Sequence, residues 1–381
     1  MENRKIPYNK PFIVGKELYN ISRAVIEYGH LSGNGPFTKA CHAWLEKNLG
    51  CGKALLTHSC TAALEMSAIL ANIGPGDEVV MPSFTFVSTA NAFVLRGGIP
   101  VFIDIRPDTL NLNESLIEAA ITEHTKAIVP VHYAGVPCEM DPILEIAHEN
   151  NLLVIEDAAQ ALFSEYKGKR LGGIGQFGCI SFHETKNIIS GEGGAILIND
   201  PAFEERSEII WGKGTDRSKF SRGEVDKYTW VDVGSSYLPS ELTAAFLLSQ
   251  MEEADRIIRK RKDIFQLYYK KLKHLEDSEK ICLPSVASNM AFNGHIFYII
   301  TKDVNERSRL IRHLKERGIL SVFHYIPLHA SPAGKCLGKT VGDLKITEDI
   351  SVRLLRLPLF YELSKKEVER ICEEIGSFFG Q

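Results

Sequence analysis

Three segments of the chain combine residue types that can do chemistry. In the first, Thr57-His58-Ser59-Cys60-Thr61-Ala62-Ala63 stands between the apolar run KALLT and an apolar helical stretch. Backbone N–H groups at such a helix start are open, and the helix dipole favours an anion such as a phosphate there. An ordinary Ser or Thr N-cap would use the same residues. In the second, the run LLVIE ends in Glu156-Asp157 and continues as Ala158-Ala159-Gln160. Two acids at the end of a buried run call for cationic partners, unless Asp157 simply caps a helix. In the third, CISF is followed by His183-Glu184-Thr185-Lys186-Asn187 and then Ser190-Gly191-Glu192-Gly193-Gly194. A lysine desolvated in that turn has a lowered pKa and can attack an aldehyde as the neutral amine. In a solvated turn it is a surface lysine.

Each segment alone has a bland reading, but the three together do not. An anion seat, an acid and a lysine at strand ends are the parts that hold pyridoxal 5′-phosphate (PLP). Lys186 would carry the aldehyde as an imine, Asp157 would keep the pyridine nitrogen protonated, and the helix start would take the phosphate. Phe84, just after the run EVVMP, could stack on the ring.

Those residues need a frame. Seven short apolar runs supply it: KALLT (53–57), EVVM (78–81), PVFID (100–104), AIVPV (127–131), LLVIE (152–156), CISF (179–182) and AILI (195–198). They are β-branched and mostly do not alternate, as expected of strands buried on both faces. Helical spacing fills 61–73, 85–95, 115–121 and 140–150 between them, with Gly74-Pro75-Gly76-Asp77 and Gly97-Gly98 as turns. The pattern predicts an α/β fold with a mainly parallel sheet and helices on both faces, whose ligands lie beyond the strand carboxyl ends. Residues 241–275 read as one long helix or two in series. From His295 the order changes to strand IFYII, helix 306–317, strand LSVF and a last helix from Ser364, an α+β appendage.

The 381 residues carry 44 Lys+Arg against 48 Asp+Glu, a net charge of −4 that argues against nucleic-acid binding by bulk charge. The basic run 256–262 reads as a solvated helix face. Eight cysteines without a C-x-x-C pair fit reduced thiols and a cytoplasmic setting. MENRKIPYNKPF has no apolar h-region, and no run reaches membrane-spanning length, so neither a signal peptide nor a membrane partner is expected. Gly173-Ile-Gly175-Gln-Phe-Gly178 fits G-x-G-x-x-G but precedes a strand instead of opening a helix, so it reads as a glycine-rich turn. No metal motif is present. His324 and His329 flank Pro327 and cannot share a helix face, so they read as substrate contacts or as packing.

From about residue 33 to 363 the sequence resembles the DegT/DnrJ/EryC1/StrS family of sugar aminotransferases. The resemblance rests on SGNGPFTKACHAWLE, THSCTAALEM, GPGDEVVMPSFTFVSTANAFVLRGG, VHYAGVPCEMD, VIEDAAQ, SFHETKN, GEGGA and HYIPLH. It implies the type I PLP-dependent transferase fold, like that of aspartate aminotransferase. That fold has a mainly parallel seven-stranded sheet in a large cofactor-binding domain (1–245) and a small C-terminal α+β domain (246–381). It implies Lys186 as Schiff-base lysine and proton shuttle, Asp157 on the pyridinium nitrogen, Gln160 near the phenolic oxygen and Phe84 on the ring. Ser59, Cys60, Thr61 and Ser181 would hold the phosphate. Ser236 stands where many members place an asparagine that reaches the partner subunit's phosphate, so that contact is shortened or lost. Lys186 also separates the chain from members that carry histidine there and dehydrate sugars.

Within the family, HETKN, KGTDRS, VDKYTW, GSSYL and RLLRLPLFY resemble a branch that aminates C4 of dTDP-4-keto-6-deoxy-D-glucose, with L-glutamate as donor, on the way to enterobacterial common antigen. The implied partners are those two small molecules and a second copy of the chain, in a homodimer with shared active sites. Arg217, Lys219 and Arg222, with Lys213 and Lys227, are the expected diphosphate contacts, against a solvated loop. His324, Tyr325 and His329 are the expected sugar contacts, against packing. The rival readings are a 3-aminotransferase on a dTDP-3-keto sugar and a PLP-binding regulator without turnover.

Overall fold

A computed structural model describes residues 5–285 and 291–380. Seven strands form where the apolar runs lie: β1 (Lys53–Thr57), β2 (Glu78–Pro82), β3 (Ile99–Ile103), β4 (Thr125–Ile128), β5 (Leu153–Asp157), and, after a two-residue hairpin β6 (Glu165–Tyr166) and β7 (Lys169–Arg170), β8 (Phe177–Ser181) and β9 (Gly194–Ile198). Later come β10 (Phe297–Ile300), β11 (Lys339–Thr340) and β12 (Leu354–Leu357). The main sheet has the order β1-β9-β8-β5-β4-β2-β3-β11, so the short β11 joins the seven expected strands as an eighth. β9 is antiparallel to both neighbours, β1 and β8; the other pairings in the sheet are parallel.

The lack of alternation in the sequence follows from burial on both faces. Leu55 and Leu56, Val154 and Ile155, Cys179 and Ile180, and Ile196 and Leu197 are consecutive pairs whose members enter opposite hydrophobic cores. Most strand bounds shift by one to three residues from the apolar runs, and two of the shifts have a local cause. AIVPV is continuous strand only to Ile128; Pro130 has no N–H to donate, and pairing resumes beyond it as a single parallel bridge from Val131 to Asp157. β8 starts two residues before CISF, because Phe177 and Gly178 pair with Ile155 and Glu156.

The stretch 241–275 forms two helices in series, Glu241–Glu252 and Ala254–Asp277. A third core gathers Ile6, Phe265, Tyr268, Phe297, Leu310 and Ile371 beside β10 and β12. The expected strand LSVF makes a single bridge, Val322 to Arg356. The last helix, Lys365–Phe378, carries a capping box between Ser364 and Glu367. No helix among the described residues is long and apolar enough to cross a membrane.

The glycine-rich turn has a structural task. Backbone N–H groups of Gly172, Ile174 and Gly175 donate to the Glu156 carboxylate at 2.8, 2.7 and 2.7 Å. His132 Nδ1 accepts from Cys138 N–H, which leaves the proton on Nε2 to donate to Glu156 at 3.0 Å. Glu156 is thus buried on amides and a histidine, and the cation expected beside it is absent among the described residues. The turn presses so closely on the sheet that a Cβ at Gly178 would stand 2.0 Å from Gly172 O.

Candidate active site

A cavity of about 870 Å³ opens beyond the carboxyl ends of β5 and β8. Ser59, Cys60, Thr61, Asp157, Gln160, Ser181, Lys186, His324 and Tyr325 all line it. The three segments picked out by their chemistry therefore converge.

Ser59 is the N-cap of the helix Cys60–Leu70 and accepts from Ala62 N–H at 3.1 Å. The capping and anion-seat readings coexist, because this cap uses Ala62 and leaves the N–H groups of Cys60 and Thr61 without an acceptor among the described residues. The helix start can lie this close to β9 only because residue 194 is glycine: a Cβ there would meet Cys60 N at 2.4 Å.

Asp157 ends β5. Its Oδ2 accepts from Thr89 Oγ1 at 2.7 Å, and Thr89 is in turn linked to Thr85 at 2.8 Å. Oδ1 accepts from Ala159 N–H at 3.2 Å. Each oxygen retains a lone pair for a further donor. Gln160 is held at both ends: Oε1 accepts from Ala134 N–H, and Nε2 donates to the Tyr325 hydroxyl, each at 2.8 Å.

Lys186 sits in the tight loop between β8 and β9, closed by Ser190 N–H to Phe182 O and Glu184 N–H to Gly191 O. Asn187 anchors that loop. Its Nδ2 donates to Asn293 O, and its Oδ1 accepts from His295 Nδ1 at 3.0 Å. The Lys186 ammonium makes no hydrogen bond or ion pair with a described residue. Desolvation lowers its pKa from the ordinary 10.5; Cys60 and Asp157 act the other way, and the charge of Arg356 adds to the lowering. Burial holds His295 and His324 well below the usual imidazole range, and pushes the Cys60 thiol well up.

Several expected positions differ. Phe84 is 1% exposed and packs on Tyr133 and Tyr325, away from the cavity wall. Phe86, 56% exposed, lines the cavity in its place. His329 is outside the lining, tied to Ser83 at 2.7 Å and Glu348 at 3.2 Å, so here the packing reading holds. His324 faces the cavity, bonded to the Tyr133 hydroxyl at 2.7 Å and stacked on Tyr325 with ring centres 3.7 Å apart.

Arg217, Lys219 and Arg222 lie on or beside the short helix Arg217–Ser221, away from this chain's cavity. Lys219 pairs with Glu205 at 2.6 Å, Arg222 pairs with Glu208 and Glu224, and Arg217 stands over the Tyr228 ring. Ser236 is exposed and also outside the cavity. Thr89, Arg356 and Tyr8 also line the cavity, and the sequence reading did not single them out. Thr89 and Arg356 lie inside segments quoted for the family resemblance, and nothing local to Tyr8 distinguishes it.

The geometry suits a phosphorylated aldehyde cofactor. Open helix N–H groups, a carboxylate with lone pairs to spare and a desolvated amine surround one space. Comparison with known proteins agrees. The model of the DegT/DnrJ/EryC1/StrS aminotransferase family matches residues 13–376. A GDP-perosamine synthase from Caulobacter vibrioides is 36% identical over 329 residues, 84% of each chain. The spore coat polysaccharide biosynthesis protein SpsC of Bacillus subtilis is 32% identical, covering 98% of this chain and 97% of its own. The crystal structure of the aminotransferase TlmJ from Streptoalloteichus hindustanus matches with a TM-score of 0.90 at 29% identity, over 99% of each chain. With the family model spanning nearly its whole length, the chain belongs to the DegT/DnrJ/EryC1/StrS aminotransferase family.

Proposed function

We propose that the protein moves the amino group of L-glutamate to C4 of dTDP-4-keto-6-deoxy-D-glucose, giving dTDP-4-amino-4,6-dideoxy-D-galactose and 2-oxoglutarate. The observation that carries the aminotransferase reading is the convergence of Lys186, Asp157 and the Cys60–Leu70 helix start on one cavity. The sugar and its nucleotide rest on the resemblance at HETKN, KGTDRS, VDKYTW and RLLRLPLFY.

The cofactor is pyridoxal 5′-phosphate, which supplies an electron sink for the carbon that loses its proton. Cys60 and Thr61 N–H, with the Ser59 and Ser181 hydroxyls, would hold its phosphate. Phe86 replaces Phe84 as the residue placed to lie on the ring. Asp157, oriented by Thr89 and Ala159 N–H, would hold a proton on the ring nitrogen. Gln160, fixed by Ala134 and Tyr325, presents its amide toward the same space. Lys186 would hold the cofactor by its aldehyde carbon and, as the free amine, would take up the proton that leaves the donor's Cα. Its lowered pKa keeps that amine neutral more readily than an exposed lysine would be. In the second half-reaction it returns a proton to the sugar carbon from its own side, which sets the stereochemistry.

The protein acts as a cytoplasmic homodimer with shared sites. Supporting this, Ser236 and the basic residues of 212–229 stand outside their own cavity, and Trp230, Val231 and Val233 are exposed nearby. Lys219 and Arg222 would have to leave acids of their own chain to meet a diphosphate.

The test loads the protein with PLP, adds L-glutamate and follows conversion to the pyridoxamine form by absorbance. Nucleotide keto-sugars are then offered and the product is solved by NMR. A small H3–H4 coupling means an axial C4 amine and supports the proposal. A large coupling or an amine at C3 overturns the substrate, and absence of conversion by any amino acid overturns the transaminase reading.

A further inference from the structure

We propose that His295 is a positioning residue for Lys186: its Nε2 lone pair receives an N–H of the lysine whenever that amine is free. The inference rests on the aminotransferase reading above. His295 lines the cavity and is only 6% exposed. Its backbone is fixed at both ends, the N–H donating to Asn293 Oδ1 at 3.1 Å and the carbonyl accepting from Arg261 Nη2 at 2.6 Å. Asn293 in turn donates to the carbonyls of Gln160 and Leu162 at 2.8 and 2.9 Å, and its own carbonyl accepts from Asn187. The segment 293–295 is thus wedged between the residues that follow β5 and the loop that carries Lys186.

The residue next to the lysine decides the tautomer of this ring. Asn187 Nδ2 donates to Asn293 O at 2.9 Å, so its Oδ1 faces His295 and accepts from Nδ1–H at 3.0 Å. Nε2 then carries no proton. It has no partner among the described residues, and it is the polar edge of the ring left for the cavity. Burial, with the charges of Lys186, Arg261 and Arg356 nearby, holds the imidazole well below its usual range, so the lone pair stays open at neutral pH. Lys186 is close enough for its charge to act on the ring. The two groups stand unpaired, and rotation of the long lysine side chain would join them.

The other polar groups described around the lysine are committed or are donors. Asp157, oriented by Thr89 and Ala159 N–H, is reserved for the cofactor's ring nitrogen. Gln160 Oε1 is taken by Ala134 N–H, and Ser59 and Ser181 serve the phosphate end. The Tyr133 hydroxyl has His324 Nδ1 as its acceptor, so His324 turns a protonated Nε2 to the cavity and is a donor. The Cys60 thiol is held protonated by burial, and sulfur is a weak acceptor. The difference matters for a free amine that must take a proton. A donor would cover its lone pair, whereas an acceptor binds an N–H and leaves the lone pair exposed. Once the amino donor has replaced Lys186 on the cofactor, His295 would keep the released amine from dispersing over its rotamers.

Two substitutions divide the ring. His295→Asn keeps a donor at the Nδ1 position for Asn187 and deletes Nε2. His295→Gln brings an amide oxygen to the Nε2 position and gives up the link to Asn187. In PLP-loaded His295→Asn, the rate of conversion by saturating glutamate, followed by absorbance, should fall about 10- to 100-fold. The glutamate concentration for half-maximal conversion should stay nearly the same. In the cofactor-free protein, acetylation of Lys186 by an N-hydroxysuccinimide ester is followed against pH by mass spectrometry. Its midpoint should move down in His295→Asn, because an acceptor favours the ammonium over the amine. Loss of structure would move it up instead, toward the ordinary 10.5. His295→Gln should keep the wild-type midpoint and more of the rate, and carries the comparison if the asparagine variant folds poorly. A wild-type rate in His295→Asn, or a midpoint that stays or rises, would overturn the assignment. So would a higher rate in His295→Asn than in His295→Gln, which would leave the ring as a prop for Asn187. If the wild type is converted by no amino acid, the transaminase reading falls, and the labelling midpoint alone then decides His295.

Discussion

Replacing Glu156 with glutamine tests whether the turn 172–175 holds the floor of the site. The carboxylate is fully buried and accepts four hydrogen bonds: Ile174 and Gly175 N–H on Oε1, Gly172 N–H and His132 Nε2–H on Oε2. Glutamine keeps the shape but turns one oxygen into an NH₂ group. In either amide orientation two donors then face a donor. His132 cannot relieve this by moving its proton to Nδ1, because Nδ1 already accepts from Cys138 N–H. Two lost bonds to a charged group amount to about 3–6 kcal/mol. Relief of the buried charge's desolvation offsets part of that, so we expect about 3–4 kcal/mol of net destabilisation. Urea unfolding of the cofactor-free protein, followed by far-UV circular dichroism at fixed subunit concentration and neutral pH, would measure it. A glutamine variant within about 1 kcal/mol of the wild type would refute the assignment of those bonds as structural.

Phe84→Ala should destabilise the protein by about 3–5 kcal/mol because the ring is buried, whereas Phe86→Ala should leave unfolding nearly unchanged and weaken PLP retention, read by equilibrium dialysis. Lys186→Ala should fold normally and lose turnover. Because burial sets the native pKa of Lys186 below 10.5, the unfolded chain binds more protons between the two values. Stability should therefore rise with pH across that window in the wild type, and the rise should shrink in Lys186→Ala. Gly194→Ala would press a methyl group against Cys60 N and should lower PLP affinity, measured by fluorescence titration. Asp157→Asn should still bind PLP but lose most of its rate, seen in the glutamate half-reaction, since a neutral amide holds a ring proton far less well.

The sheet was legible because its strands are apolar on both sides, a pattern that needs no knowledge of partners. Lys186, Asp157 and Ser59 were legible because each stands at the end of such a run. Phe84 and Phe86 were not separable in that way. They are two residues apart between a strand and a helix, and their fates are decided by Tyr133 and Tyr325, which arrive from distant parts of the chain. His329 likewise differs from His324 only through Ser83 and Glu348. Glu156 was read as needing a cation, because the amides that stabilise it belong to a turn whose local sequence mimics a nucleotide-binding motif.

The antiparallel β9 has a consequence for how the protein is made. Thr57 pairs with Gly194, and Ser181 pairs with the same glycine from the other side. The proposed phosphate seat after β1 and the lysine loop after β8 are therefore brought together by one late-arriving strand inserted between two earlier ones. Pairings so distant in sequence close slowly, and a nascent chain cannot make them until it has emerged past residue 198. Cofactor capture should thus be a late event in folding, and regain of PLP absorbance should lag regain of helix signal when the unfolded protein is returned to native conditions.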